Sequence, residues 1–130
     1  MMNTNTKGHI LFVDDDVVTR NTLAVSLRDK GYEVTECGDG LEAFNWLRQN
    51  RADFLITGIK MPNLGGFELI ERLKQDPRWQ ALPFFIFSHR GDPADRERAK
   101  TMGAADFFVY GFVTPNDIAE VLARVKPPAP

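Results

Sequence analysis

Asp14-Asp15-Asp16 directly follows an apolar run, Ile10-Leu11-Phe12-Val13. Adjacent carboxylates at the end of a buried segment suit a hard cation such as Mg²⁺, which takes one or two carboxylates together with phosphate oxygens and water. The same triplet also suits the start of a helix, where Asp is favoured as a cap. A second apolar run, Phe54-Leu55-Ile56-Thr57, ends in Gly58, which offers no side chain. Two more such runs close on Ser88 and on Tyr110. His89 has no partner histidine at metal spacing, since His9 lies on the first run. Cys37 is the single cysteine, which excludes an internal disulfide framework and a cysteine-based zinc site.

These residues need elements to hold them. Short β-branched or aromatic runs at Ile10–Val13, Tyr32–Thr35, Phe54–Thr57, Phe84–Phe87 and Phe107–Tyr110 read as buried strands. Helical spacing fills the gaps. Val18, Thr22 and Val25, with Leu23 and Leu27, follow the first strand, and Gly31 closes that helix. Leu41, Phe44 and Leu47 form a second stripe, and Phe67, Ile70 and Leu73 a third. Asp95 to Met102 reads as a fourth helix stopped by Gly103. Ile118, Val121, Leu122 and Val125 form the fifth, with Thr114 as its N-cap and Pro115 at its first position. Strands that alternate with helices and read as continuous apolar runs imply a parallel α/β sheet covered on both faces. Functional groups then collect beyond the carboxyl ends of the strands.

The totals limit what such a domain does. The chain has 130 residues, 43% hydrophobic and 26% charged, with a net charge of -2. That is the size of one domain, and it offers no basic field for nucleic acid. No run of about 18 apolar residues exists, so no membrane helix is expected. The polar start is expected to be a loose tail over 1–7, ahead of a domain over 8–126. Pro127-Pro128-Ala129-Pro130 is expected to be a tail or linker stub. A cytoplasmic location is expected.

Several separated segments resemble the response-regulator receiver domain of two-component signalling. They are Ile10–Asp16; Gly31-Tyr32-Glu33-Val34; Asp39-Gly40-Leu41-Glu42-Ala43; Met61-Pro62-Asn63-Leu64-Gly65-Gly66-Phe67-Glu68; Leu82-Pro83; and Gly103-Ala104-Ala105-Asp106-Phe107-Phe108. The resemblance covers about Gly8 to Val125. It implies a flavodoxin-like (βα)5 doubly wound sandwich with strand order 2-1-3-4-5. It assigns Asp14 and Asp15 to an acidic, Mg²⁺-holding pair. Gly58 takes the phosphoacceptor position and Tyr110, followed by Gly111, takes the position of a lysine followed by proline. Ser88 and Phe107 take the two switch positions.

Glycine cannot form an acyl phosphate, and a phenol with a pKa near 10 does not replace an ammonium group. The expectation is therefore a receiver-like module with no phosphoacceptor, no catalytic residue, and weak Mg²⁺ binding at best through Asp14 and Asp15. Lys60, His89 or Arg90 is expected to compensate the acidic pair. Thr57 points to the opposite sheet face and is no substitute acceptor. The module is expected to work in bacterial signalling through a protein partner (a histidine kinase, an output domain or a second copy). The partner face is expected on the fourth helix, fifth strand and fifth helix. Phe85, Phe87 and Phe108 are expected in the core, with Phe107, Tyr110 and Phe112 left open between core and interface. Ser88 stays open between switch and plain loop hydroxyl, and Gly58 between a relic and a turn residue needing positive φ. Two rivals remain. One is a receiver phosphorylated atypically or switched by a ligand; the other is a flavodoxin-like cofactor enzyme, for which no glycine-rich phosphate loop is present.

Overall fold

The computed structural model describes residues 6–127. Most of the expected tails, 1–7 and 127–130, therefore lies outside the described residues. Five strands alternate with five helices: β1 His9–Val13, α1 Val17–Asp29, β2 Glu33–Cys37, α2 Gly40–Leu47, β3 Phe54–Thr57, α3 Gly66–Lys74, β4 Phe84–Ser88, α4 Pro93–Met102, β5 Asp106–Val109 and α5 Pro115–Arg124. The sheet is parallel throughout, in the order β2-β1-β3-β4-β5. This is the flavodoxin-like order expected from the sequence.

Side-chain alternation splits the core in two. Leu11, Val13, Leu55 and Ile86 face α2, α3 and α4 through Leu47, Phe67, Ile70, Leu73 and Ala99. Ile10, Phe12, Ile56, Phe85, Phe87 and Phe108 face α1 and α5 through Leu23, Leu27, Ile118 and Leu122. β1, β3 and β4 are buried on both sides, which is why they read as unbroken apolar runs. Cys37 is buried in the first of these cores, and burial pushes its thiol pKa up to about 12, with Glu42 and Asp39 adding to the effect against Arg20.

The caps fall where the sequence puts them. Asp16 caps α1 by accepting from the Thr19 N–H at 3.2 Å. Thr114 and Asp117 form a reciprocal capping box at α5 with Pro115 at its start. Gly103 ends α4 in the left-handed conformation, φ 95°.

Three expectations need correction. Val18 and Val25 face solvent, 75% and 47% exposed, and the buried face of α1 is Leu23, Ala24 and Leu27. Both faces have apolar residues at helical spacing, and the wider pair of leucines wins the contact with the sheet. Leu41 is also exposed, so α2 packs through Gly40, Ala43 and Leu47. β5 ends at Val109, which leaves Tyr110 in the turn beyond it.

On the α2–α4 side, cations cover the aromatic rings. Arg72 lies over Phe44 at 5.4 Å, Arg98 over Phe67 at 4.4 Å, Lys74 over Phe84 at 5.9 Å and Arg96 over Phe107 at 4.8 Å. Among the described residues no helix is long and apolar enough to cross a membrane.

Candidate functional site

The carboxyl ends of β1, β3 and β4 open into a cleft of about 190 Å³ lined by Asp14, Gly58, Lys60, Ser88, His89 and Arg90, among others. Asp14 is at its floor. It is the only buried charged residue among the described residues. Its Oδ1 accepts the Asp16 N–H at 2.8 Å, and its Oδ2 lies 3.2 Å from His89 Nε2. Burial raises the Asp14 pKa above the usual carboxylate value, and the bonds from Asp16 and His89 oppose that rise without cancelling it. An ionised carboxylate only accepts, so against it Nε2 is the donor.

His89 is fixed from the other side as well. Its ring stacks on Tyr110, centroids 5.4 Å apart and planes 26° apart, and meets Phe87 edge-on at 5.5 Å. The ends of β1, β4 and β5 are thus joined through one imidazole. The sequence named Lys60, His89 and Arg90 as candidates for this role. Lys60 and Arg90 line the cleft but make no ion pair with Asp14 among the described residues, and Arg90 Nε is instead 3.8 Å from Asp92. Spacing alone did not single out His89, because all three side chains leave strand ends at similar reach. A ring between two other aromatics is visible only in three dimensions.

Gly58 has no positive φ, so the turn reading is set aside. A Cβ there would lie 3.2 Å from Asp14 Oδ2 and 3.6 Å from Met61 Sδ. The position therefore faces Asp14 and is nearly roomy enough for a side chain. Gly66 is the opposite case: its Cβ would lie 1.9 Å from the Gly58 carbonyl oxygen. That close approach seats the start of α3 against the loop carrying Gly58.

Ser88 is buried, and its Oγ accepts from the N–H groups of Arg90 and Gly91 at 3.1 and 2.8 Å. It holds the β4–α4 turn as a loop hydroxyl. Thr57 Oγ1 donates to the Gly58 carbonyl at 3.0 Å, buried on the other sheet face. Phe107 is half-buried and packs toward α4. Phe85, Phe87 and Phe108 are core, whereas Tyr110 and Phe112 are 54% and 88% exposed.

Arg20 is a contributor that the sequence reading passed over. Its Nη1 donates to the Asp14 carbonyl at 2.7 Å and to the Cys37 carbonyl at 3.3 Å, while Nε binds Glu36 at 3.0 Å. It ties the ends of β1 and β2 from below the cleft. The signal was present: an arginine four residues after the Asp16 cap, with a glutamate, Glu36, near the end of the neighbouring strand.

These donors do not fit a resident Mg²⁺. Both Asp14 oxygens are already engaged, Asp15 is exposed, and Gly58 supplies no ligand. Among the described residues no group of three His, Cys, Asp or Glu side chains is placed to hold a metal.

Comparison with known proteins agrees with the fold. The family model "Response regulator receiver domain" matches residues 10–123. A rice (Oryza sativa) protein, "Two-component response regulator ORR3", is 32% identical over 118 residues, spanning 90% of this chain and 89% of that protein. The "Gliding motility regulatory protein" of Myxococcus xanthus is 33% identical over 116 residues, covering 89% of this chain and 15% of its own length. Protein RcaC of Microchaete diplosiphon is likewise matched over 18% of its length. The chain thus spans under a fifth of those two longer relatives. The crystal structure of the chemotaxis response regulator CheY4 of Vibrio cholerae superposes with a TM-score of 0.82 at 28% identity, covering 92% of this chain and 98% of that one. With the sheet order, the acidic strand end and a family match over nearly the whole described chain in agreement, this protein belongs to the response regulator receiver domain family.

Proposed function

We propose that this receiver has given up phosphotransfer at the usual position and signals through protein contact. The observation that carries the reading is Gly58. A Cβ at this position would lie 3.2 Å from Asp14 Oδ2, and glycine supplies no carboxylate to accept a phosphoryl group. Tyr110 supports it, since the phenol stacks on His89 and projects into solvent where the resemblance expects an ammonium group. Ser88 supports it too, because its hydroxyl is committed to two backbone N–H groups. In this reading Asp14 and Asp15 are a residual acidic pocket, Mg²⁺ binding is weak at best, and the domain has no catalytic activity of its own.

The partner is a protein (a kinase, an output domain or a second copy) met through α4, β5 and α5, with no role for nucleic acid or membrane. A shallow groove of about 340 Å³ on that face, lined by Arg96, Lys100, Asp106 and Phe107, is consistent with it. A cytoplasmic setting follows from the same proposal.

The test is incubation with acetyl phosphate and Mg²⁺ followed by intact-mass measurement. No phosphorylated species is expected. A stoichiometric gain of one phosphoryl group mapped to a carboxylate would overturn the reading. A second reading is a small-ligand switch, favoured by the room that Gly58 leaves in the cleft. A thermal-shift screen of nucleotides and metabolites separates it from a passive module.

A further inference from the structure

A nearly inaccessible carboxylate needs a compensating donor or cation. For Asp14 Oδ1 the donor is a backbone N–H, and for Oδ2 it is the His89 imidazole at 3.2 Å. The imidazole is held there by rings on two sides, stacked on Tyr110 and edge-on to Phe87. The His89 side chain is 38% exposed and that of Asp14 2%, so the ring is the solvent-facing member of the pair. Within the cleft the ring lies against the Asp14 oxygen that an entering ion would need. We propose that His89 is a tethered occupant of the cation position, a plug that keeps divalent ions off Asp14 and is itself steadied by Tyr110.

The proposal makes the weakness of cation binding a product of two separable causes: a missing ligand at Gly58 and an occupied one at Asp14. Supplying the ligand should therefore recover only part of the affinity. Gly58 tolerates the change in principle, since its φ is negative or extended and its nearest neighbours are the Asp14 carboxylate and the flexible Met61.

The test uses Mn²⁺ as the probe, with binding read by water-proton relaxation and folding by circular dichroism. Five proteins are compared: the unmodified chain, Gly58→Asp alone, and Gly58→Asp combined with His89→Ala, with His89→Gln or with Tyr110→Ala. Removing the imidazole is expected to tighten Mn²⁺ binding by about tenfold over Gly58→Asp, the equivalent of one contact of about 1.4 kcal/mol. Glutamine keeps a donor over Oδ2 and should hold the affinity within about threefold of Gly58→Asp. Tyr110→Ala frees the ring and should give an intermediate gain. A merely structural role for His89 would make alanine and glutamine alike. Equal Mn²⁺ affinity for Gly58→Asp and for Gly58→Asp with His89→Ala would overturn the proposal, as would tight Mn²⁺ binding by the unmodified chain. No phosphoryl donor is present in this assay, so it can fail while the loss of phosphotransfer stands, and the reverse.

Discussion

Gly58→Ala and Gly66→Ala should behave as opposites, although the two glycines flank the same loop. At Gly58 the backbone is not in the left-handed region, so alanine meets no dihedral penalty. Its methyl would touch Asp14 Oδ2 at 3.2 Å, a contact that eases with a shift of a few tenths of an ångström. Replacing glycine at a compatible site usually gains about 0.4–1 kcal/mol by restricting the unfolded chain. Contact and entropy then nearly cancel, and the variant should stay within about 1 kcal/mol of the parent.

At Gly66 the methyl would sit 1.9 Å from the Gly58 carbonyl oxygen, a backbone atom that cannot rotate away. The start of α3 must move back by more than an ångström, lifting the neighbouring Phe67 and Ile70 from the core. Overpacking costs typically about 1–3 kcal/mol, and a clash with fixed backbone belongs at or above the upper end. With a urea slope of about 1.5 kcal/mol/M, a loss of about 3 kcal/mol lowers the midpoint by about 2 M. Tryptophan fluorescence from Trp46 and Trp79 reports the transition. A loss above about 2 kcal/mol for Gly58→Ala would show that glycine is there to satisfy the backbone. The absence of a carboxylate at that position would then no longer be an independent observation about chemistry.

Two further outcomes follow from the floor of the cleft. Arg20→Ala removes the side-chain donor to the Asp14 carbonyl and one of three donors to Glu36, while the Cys37 carbonyl keeps the Asp14 N–H, so a stability loss of about 1–2 kcal/mol is expected in chemical denaturation. Asp14 carries a pKa raised above the ordinary carboxylate value, chiefly by burial. A carboxylate that holds its proton more tightly when folded stabilises the fold at low pH and loses that contribution as pH rises through the folded pKa. Asp14→Asn should therefore gain on the parent progressively as pH climbs from about 4, measured as the difference between two denaturation series. A flat difference would remove the buried-carboxylate argument.

The strand runs were legible because β1, β3 and β4 are covered on both faces, which leaves only apolar residues admissible along them. Phe54–Thr57 was read to the residue. The caps were legible because Asp16 and Thr114 act on N–H groups three residues away, a distance fixed within the chain. The orientation of α1 was not. Its valines and its leucines both repeat at helical spacing, and which set turns inward depends on the partner surface of Phe12, Tyr32 and Ile118 rather than on the helix itself. The acidic strand end was legible as a type of site, but the contact that completes it joins residues 75 positions apart. Ring stacking of His89 on Tyr110 has no local sequence signature at all.

The cations lying over Phe44, Phe67, Phe84 and Phe107 divide the surface into two kinds. On the α2–α4 side, sticky aromatic faces are screened by hydrated charge. At the carboxyl end of the sheet, Val17, Val18, Tyr110 and Phe112 stand uncovered. Unspecific clumping in a crowded solution would thus be polarised: the most exposed of the large apolar side chains, Phe112 and Val18, stand at one pole of the molecule, with Val25 and Leu41 lesser exceptions.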